Sequence, residues 1–182
     1  MSFVGGAHAN SDQKTEVTPE KTKTYILDKL YSNLKSAKSS KSAGTIAGAI
    51  EELWLKSGSD TVDLLMHRAG IALSQNNQTL ALELLDTVVV LKPNYTEGWS
   101  RRAKIYFAEK AYSKALLDLR RVLALDPQNF RAVHGLAMTL QETGKKKQAL
   151  NVYRKLLKIH PFMPSAQNAV EELVREVEGQ DS

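Results

Sequence analysis

These 182 residues suffice for one domain or one short solenoid and leave no room among them for a second unit of enzyme size. Apolar residues make up 42% and charged residues 25%, and the absence of cysteine excludes disulfides, thiolate nucleophiles and Cys-ligated metals; no apolar run approaches the ~18 residues that cross a bilayer. The net charge of +5 is uneven, with 16 Lys+Arg against 8 Asp+Glu over residues 61–163 but 1 against 5 over residues 164–182, so a basic body that attracts anionic partners precedes an acidic end that can shield it.

The first seventeen residues read as a leader. Ala7-His8-Ala9 has the small-x-small form of a secretory cleavage site, but no basic stretch precedes it and Phe3-Val4-Gly5-Gly6 is too short for an apolar core. The segment is read either as a disordered leader or as the remnant of a signal peptide whose upstream part is missing. Thr18-Pro19-Glu20 then offers an N-cap and a first-turn proline, and Tyr25, Ile26, Leu30, Leu34 and Ala37 follow at helical spacing, which predicts a helix over 19–38. Ser39 to Ser42 interrupt it, and Ala43 to Lys56 predict a second helix with Ile46, Ala47, Ile50 and Trp54 inward. This pair, within residues 18–61, is expected to be a degenerate repeat.

Pro93, Pro127 and Pro161 recur at a period of 34 residues and align residues 62–95, 96–129 and 130–163. The alignment puts Leu65, Trp99 and Val133 in one column and Ala69, Ala103 and Ala137 in another, followed by Ala72, Tyr106 and Leu140. These columns fall on one face of a first helix in each unit. Ala81, Ala115 and Ala149, then Leu85, Leu119 and Tyr153, then Val88, Val122 and Leu156 fall on one face of a second. Alanine at two fixed columns lets the paired helices approach while large neighbours fill the space beside them, and each proline stops the second helix. Asn76-Asn77 and Thr143-Gly144 suit the turn between the two helices; Glu109-Lys110 in the middle unit suits it least. Ser165 to Glu178 predict a last helix with Ala166, Ala169, Val170, Leu173 and Val177 as its apolar stripe, the cap that a repeat array needs.

The middle unit, with Trp99, Ala103, Tyr106, Ala115 and Pro127, resembles the tetratricopeptide repeat (TPR) family, with Leu119 in place of an aromatic residue and Arg102 where leucine is usual. The resemblance covers residues 62–163 and implies an all-α, right-handed superhelix of helical hairpins that binds proteins or peptides without catalysis. The chain is also similar to small bacterial TPR proteins with a secretion signal, which with Ala7-His8-Ala9 points to the periplasm in preference to the cytoplasm.

In that family the first helices line a concave groove. Position by position, the resemblance assigns to it Met66, His67 and Leu73, then Arg101, Lys104 and Phe107, then Arg131, His134 and Met138. Asp63, Gly70, Glu97, Ser100, Ala108, Gln141 and Glu142 border them. A groove mixing cationic donors with apolar anchors implies a protein or peptide ligand of acidic character. The carboxylate clamp by which some members hold a chaperone C-terminus is not expected: its positions carry Met66, Gly70, Arg101, Arg131 and Gly135, and a one-repeat shift gives Ser32, Ser36, His67, Glu97 and Arg101.

His67, His134 and His160 lie at unrelated repeat positions and His8 in the leader, with no phosphate loop anywhere, so neither catalysis, a cofactor nor a metal is expected. Arg101-Arg102, Arg120-Arg121 and Lys145-Lys146-Lys147 should point in different directions, which argues against a nucleic-acid stripe. Trp54 and Trp99 are both expected between helices. A second functional expectation is self-association, with the acidic last helix or residues 19–38 docking on the basic groove of a neighbouring copy.

Overall fold

The computed structural model describes residues 18–179; the leader, including Ala7-His8-Ala9, lies outside the described residues. Among the described residues are nine helices and no strand: α1 (Pro19–Lys35), α2 (Ser40–Leu55), α3 (Asp60–Ser74), α4 (Gln78–Leu91), α5 (Thr96–Ala108), α6 (Tyr112–Leu125), α7 (Phe130–Glu142), α8 (Lys146–Ile159) and α9 (Pro164–Glu178). None of them is long and apolar enough to cross a membrane.

The three repeats are the hairpins α3–α4, α5–α6 and α7–α8, stacked in order with α9 against α8. Their alanine columns do what the period requires: Ala69, Ala81, Ala103, Ala115, Ala137 and Ala149 are all buried. Leu85, Val88, Val122 and Leu156 fill the adjacent volume with no exposed surface. Each hairpin turn has one design. Asn76, Lys110 and Gly144, spaced by the repeat period, adopt positive φ of 56°, 58° and 74°. The next residue's amide reaches back to the carbonyl five residues earlier, Asn77 to Ala72, Ala111 to Tyr106 and Lys145 to Leu140, at 2.8–2.9 Å. This is the Schellman closure. Lys110 therefore takes the left-handed turn that its residue type disfavours, because the two hairpin hydrogen bonds and the α5–α6 packing demand it.

The unusual Arg102 has a structural explanation. Its guanidinium forks onto both oxygens of the buried Asp118, at 2.7 and 2.8 Å, and its third nitrogen reaches Asp86 on α4 of the preceding repeat at 2.7 Å. It also lies 4.9 Å from the Trp99 ring centre and 5.8 Å from that of Tyr106. A desolvated, bidentate pair replaces the usual leucine contact, and the carboxylates hold the guanidinium still more firmly charged. Trp99 correspondingly sits at the edge of the core formed by Ala103, Leu119, Val122 and Ala132. It is half-buried, covers Arg102 and donates its indole N–H to the Pro93 carbonyl at 3.0 Å. Trp54, by contrast, is buried.

The pair α1–α2 forms as two helices, but it does not stack on α3 as a further repeat. Instead α1 leans on α8 and α2 on α5, across the edge where the proline loops lie. The first loop gives Lys92 Nζ and Tyr95 Oη, which donate to the carbonyls of Ser57 and Leu55. The second gives Asp126, which accepts from Tyr31 Oη at 2.6 Å, and Gln128, which accepts from Lys35. Just beyond, Trp54 packs on Phe130 with ring centres 4.8 Å apart, and Phe130 meets His160 of the third loop edge-on at 5.4 Å. Tyr31, Leu34, Ala47, Ile50 and Trp54 thus share one apolar core with α7, α8 and α9. The spacing of Ala47 and Trp54 that suggested a repeat is spent on this edge because Tyr31 and Trp54 find aromatic and carboxylate partners there that the face of α3 lacks.

The candidate peptide groove

The concave side opens between α5 and α7 as a cavity of about 780 Å³. Its wall on α5 is Glu97, Ser100, Arg101, Lys104, Phe107 and Ala108, and its wall on α7 is Arg131, His134, Gly135, Met138 and Thr139. Leu73 of α3 closes one end, while Ala103 and Leu119 make the floor. Helical spacing explains the walls: 97, 100, 101, 104 and 108 lie along one stripe, as do 131, 134, 135, 138 and 139. Gly135 deepens the floor, since a Cβ there would approach Leu119 Cδ2 to 3.1 Å.

Seven of the nine residues assigned to the groove from sequence, namely Leu73, Arg101, Lys104, Phe107, Arg131, His134 and Met138, line this cavity. Two do not. Met66, at the column of Ser100 and His134, is 5% exposed and packs with Val62, Ala69 and Tyr95, because a flexible apolar side chain turns into the hairpin core when it can. His67 is exposed on α3, outside the cavity. The floor residues Ala103 and Leu119 and the wall residues Gly135 and Thr139 were not in the sequence assignment; a glycine inside the α7 stripe is the signal that could have found them.

The groove's cations are largely spoken for. Arg101 Nε lies 3.0 Å from the nearly buried Glu97 of the preceding turn. Arg131 is held by Glu51 of α2 through Nε and Nη2, at 2.8 and 2.6 Å, with its guanidinium 5.9 Å from the Trp54 ring centre. Burial lowers the pKa of His134, which stands edge-on to Tyr153 at 5.9 Å, so the imidazole is neutral at pH 7. Lys104 is exposed and has no carboxylate partner among the described residues. The site is therefore apolar along its length, through Leu73, Phe107, Leu119 and Met138, with one available positive charge. Glu51 could not be foreseen, since it reaches the groove from 80 residues away. No group of three His, Cys, Asp or Glu able to hold a metal occurs among the described residues.

The comparisons with known proteins agree with this architecture. A family model described as tetratricopeptide repeat matches residues 106–173, and one described as tetratricopeptide repeat protein 21 ARM repeat matches residues 1–118. The chain is 36% identical over 153 residues to a TPR repeat-containing protein of Rhizobium etli, covering 84% of this chain and 75% of that one. Among solved structures it is similar to the Sgt2 TPR domain from Aspergillus fumigatus (TM-score 0.61, 20% identity, 68% of this chain and 83% of that one). It is similar also to the first TPR of Spaghetti (RPAP3) bound to HSP90 peptide SRMEEVD (TM-score 0.62, 18% identity, 66% of this chain and 98% of that one).

Proposed function

The chain belongs to the tetratricopeptide repeat family, and on that premise we propose that it is a non-catalytic scaffold holding a protein or peptide segment in the groove between α5 and α7. The observation that carries the reading is the open cavity itself, with an apolar floor between two helical walls. A solved relative of the same fold is described with a bound peptide, which shows that such a fold accommodates one.

The ligand places apolar side chains on Leu73, Phe107 and Met138 and one carboxylate near Lys104. It is not a chaperone C-terminus held by a carboxylate clamp: Met66 is buried, Gly135 has no donor and Arg131 is already bound by Glu51. The test is an affinity pulldown from the native compartment with wild type and with Phe107→Asp plus Lys104→Glu. The expected result is loss of specific partners from the variant; identical partner lists would sink the groove assignment.

A second reading, self-association through charge, draws on the exposed Glu171 and Glu172 of α9 facing a basic body. Glu176 of the same helix is paired within the chain to Lys146 at 3.1 Å, so only part of the acidic face is available. Light scattering at two salt concentrations tests it, because such assembly weakens as salt rises. The periplasm is proposed as the compartment on the leader pattern, and recovery in the cytoplasmic fraction would contradict that.

A further inference from the structure

The first repeat carries a stacking face that no described residue covers, and the second repeat shows what such a face is built to receive. Leu64, Arg68 and Ile71 on α3 occupy the repeat columns of Gly98, Arg102 and Ile105 on α5. On α5 those positions meet the preceding repeat. Gly98 is so close to α4 that a Cβ would come within 2.7 Å of Val88 Cγ1 and 3.5 Å of Val89 Cγ1. Arg102 takes Asp86 of α4, and Ile105 is 4% exposed. In the third repeat the outer two columns carry Ala132 and Thr139, 1% and 0% exposed.

On α3 the same columns are open: Leu64 is 52% and Ile71 44% exposed. Arg68 is exposed with no carboxylate among the described residues, although its counterpart Arg102 binds two. The face is open because α1–α2 is engaged on the proline-loop edge.

We propose that this face docks an amphipathic helix of another protein, one that sets aliphatic side chains on Leu64 and Ile71 and a carboxylate on Arg68, as α4 does for α5. The equivalent helices α4, α6 and α8 of a second copy do not supply such a helix. Each is already covered by the helix that follows it, α5, α7 or α9, and the column of Asp86 carries Arg120 in α6, which would repel Arg68. Leu64 also fills the space that Gly98 leaves for Val88, so the incoming helix has a small residue at that point. None of Leu64, Arg68 and Ile71 lines the groove, so the surface does not depend on the groove reading.

The probe is a helix-stapled peptide of residues 78–91 with Val88→Ala, titrated into isotope-labelled full chain. Saturable amide shifts confined to α3 are expected. Arg68→Glu should weaken binding at least tenfold while leaving the melting midpoint unchanged, and Asp86→Lys in the peptide should restore it. Phe107→Asp in the groove should have no effect. Absence of α3 shifts, or shifts mapping to the groove, would overturn the proposal. So would concentration-dependent dimerisation that Arg68→Glu abolishes, which would make a second copy the occupant.

Discussion

The three-repeat array and the α1–α2 pair are both helical hairpins, yet they are held by different physics. In the array each hairpin is closed by a repeated turn and by alanine columns that bring neighbouring helices together, so nearly every contact is local in sequence. The pair is attached by partners 35 to 95 residues away: Ser57 and Leu55 on Lys92 and Tyr95, Tyr31 on Asp126, Lys35 on Gln128 and Glu51 on Arg131. Its polar contacts are set around one aromatic stack, Trp54 on Phe130. Local, periodic contacts make a scaffold that can be extended; the distant ones make a brace across its loops. The brace fixes Arg131 at one end of the groove and leaves the α3 face bare.

The comparison is broken most directly at Trp54. Trp54→Ala removes a buried aromatic from the shared core and should cost about 3–5 kcal/mol, with hydrogen-exchange protection lost in α1–α2 while α3–α6 stay protected. Equal loss of protection in both regions would show that they are one unit. Leu85→Ala, in the array and fully buried, should cost about 2–5 kcal/mol and deprotect α3–α4 first. Tyr31→Phe leaves the half-buried Asp126 without its closest donor and should cost about 1–3 kcal/mol, read by urea denaturation; a change near zero would mean that this hydrogen bond does not hold the pair.

Much of this contrast is legible in the sequence. The period of the prolines and alanines placed six helices and the cap, and it carried most of the groove, because in a solenoid the position within the repeat determines the face. The same logic failed for Met66, where a flexible side chain preferred the core, and held for Trp99, which packs at the core edge and also covers Arg102. It had no purchase on the α1–α2 pair, since no periodic signal marks Tyr31 as the partner of Asp126 or Glu51 as that of Arg131. Lys110 shows the reverse case, a residue that suits its turn poorly but is overruled by the repeat around it.

Two smaller effects sharpen the comparison. Lys110→Gly relieves the left-handed backbone at the middle turn and should stabilise the array by about 1 kcal/mol, offset in part by the greater freedom of glycine in the unfolded chain; an unchanged melting midpoint would mean full cancellation. The brace should respond to mild acid. Burial lowers the pKa of His160, which packs on Phe130 beneath it, and of His134, so the unfolded chain binds protons that the folded chain refuses. Stability from these groups is complete above their ordinary value of about 6.5 and falls as pH drops below it. Burial raises the pKa of Asp126, which acts in the opposite sense at lower pH. Melting midpoints between pH 7.5 and 5 should decline, and less so in His160→Gln.

The central claim is that α1–α2 braces the proline-loop edge instead of extending the array. Because the chain has no cysteine, spin labels can be placed cleanly at Lys35→Cys and Gln128→Cys and their separation measured by pulsed electron resonance. A single short, narrow distance is predicted, unchanged by Arg68→Glu. A long or broad distribution would contradict the brace and return the pair to the end of the array.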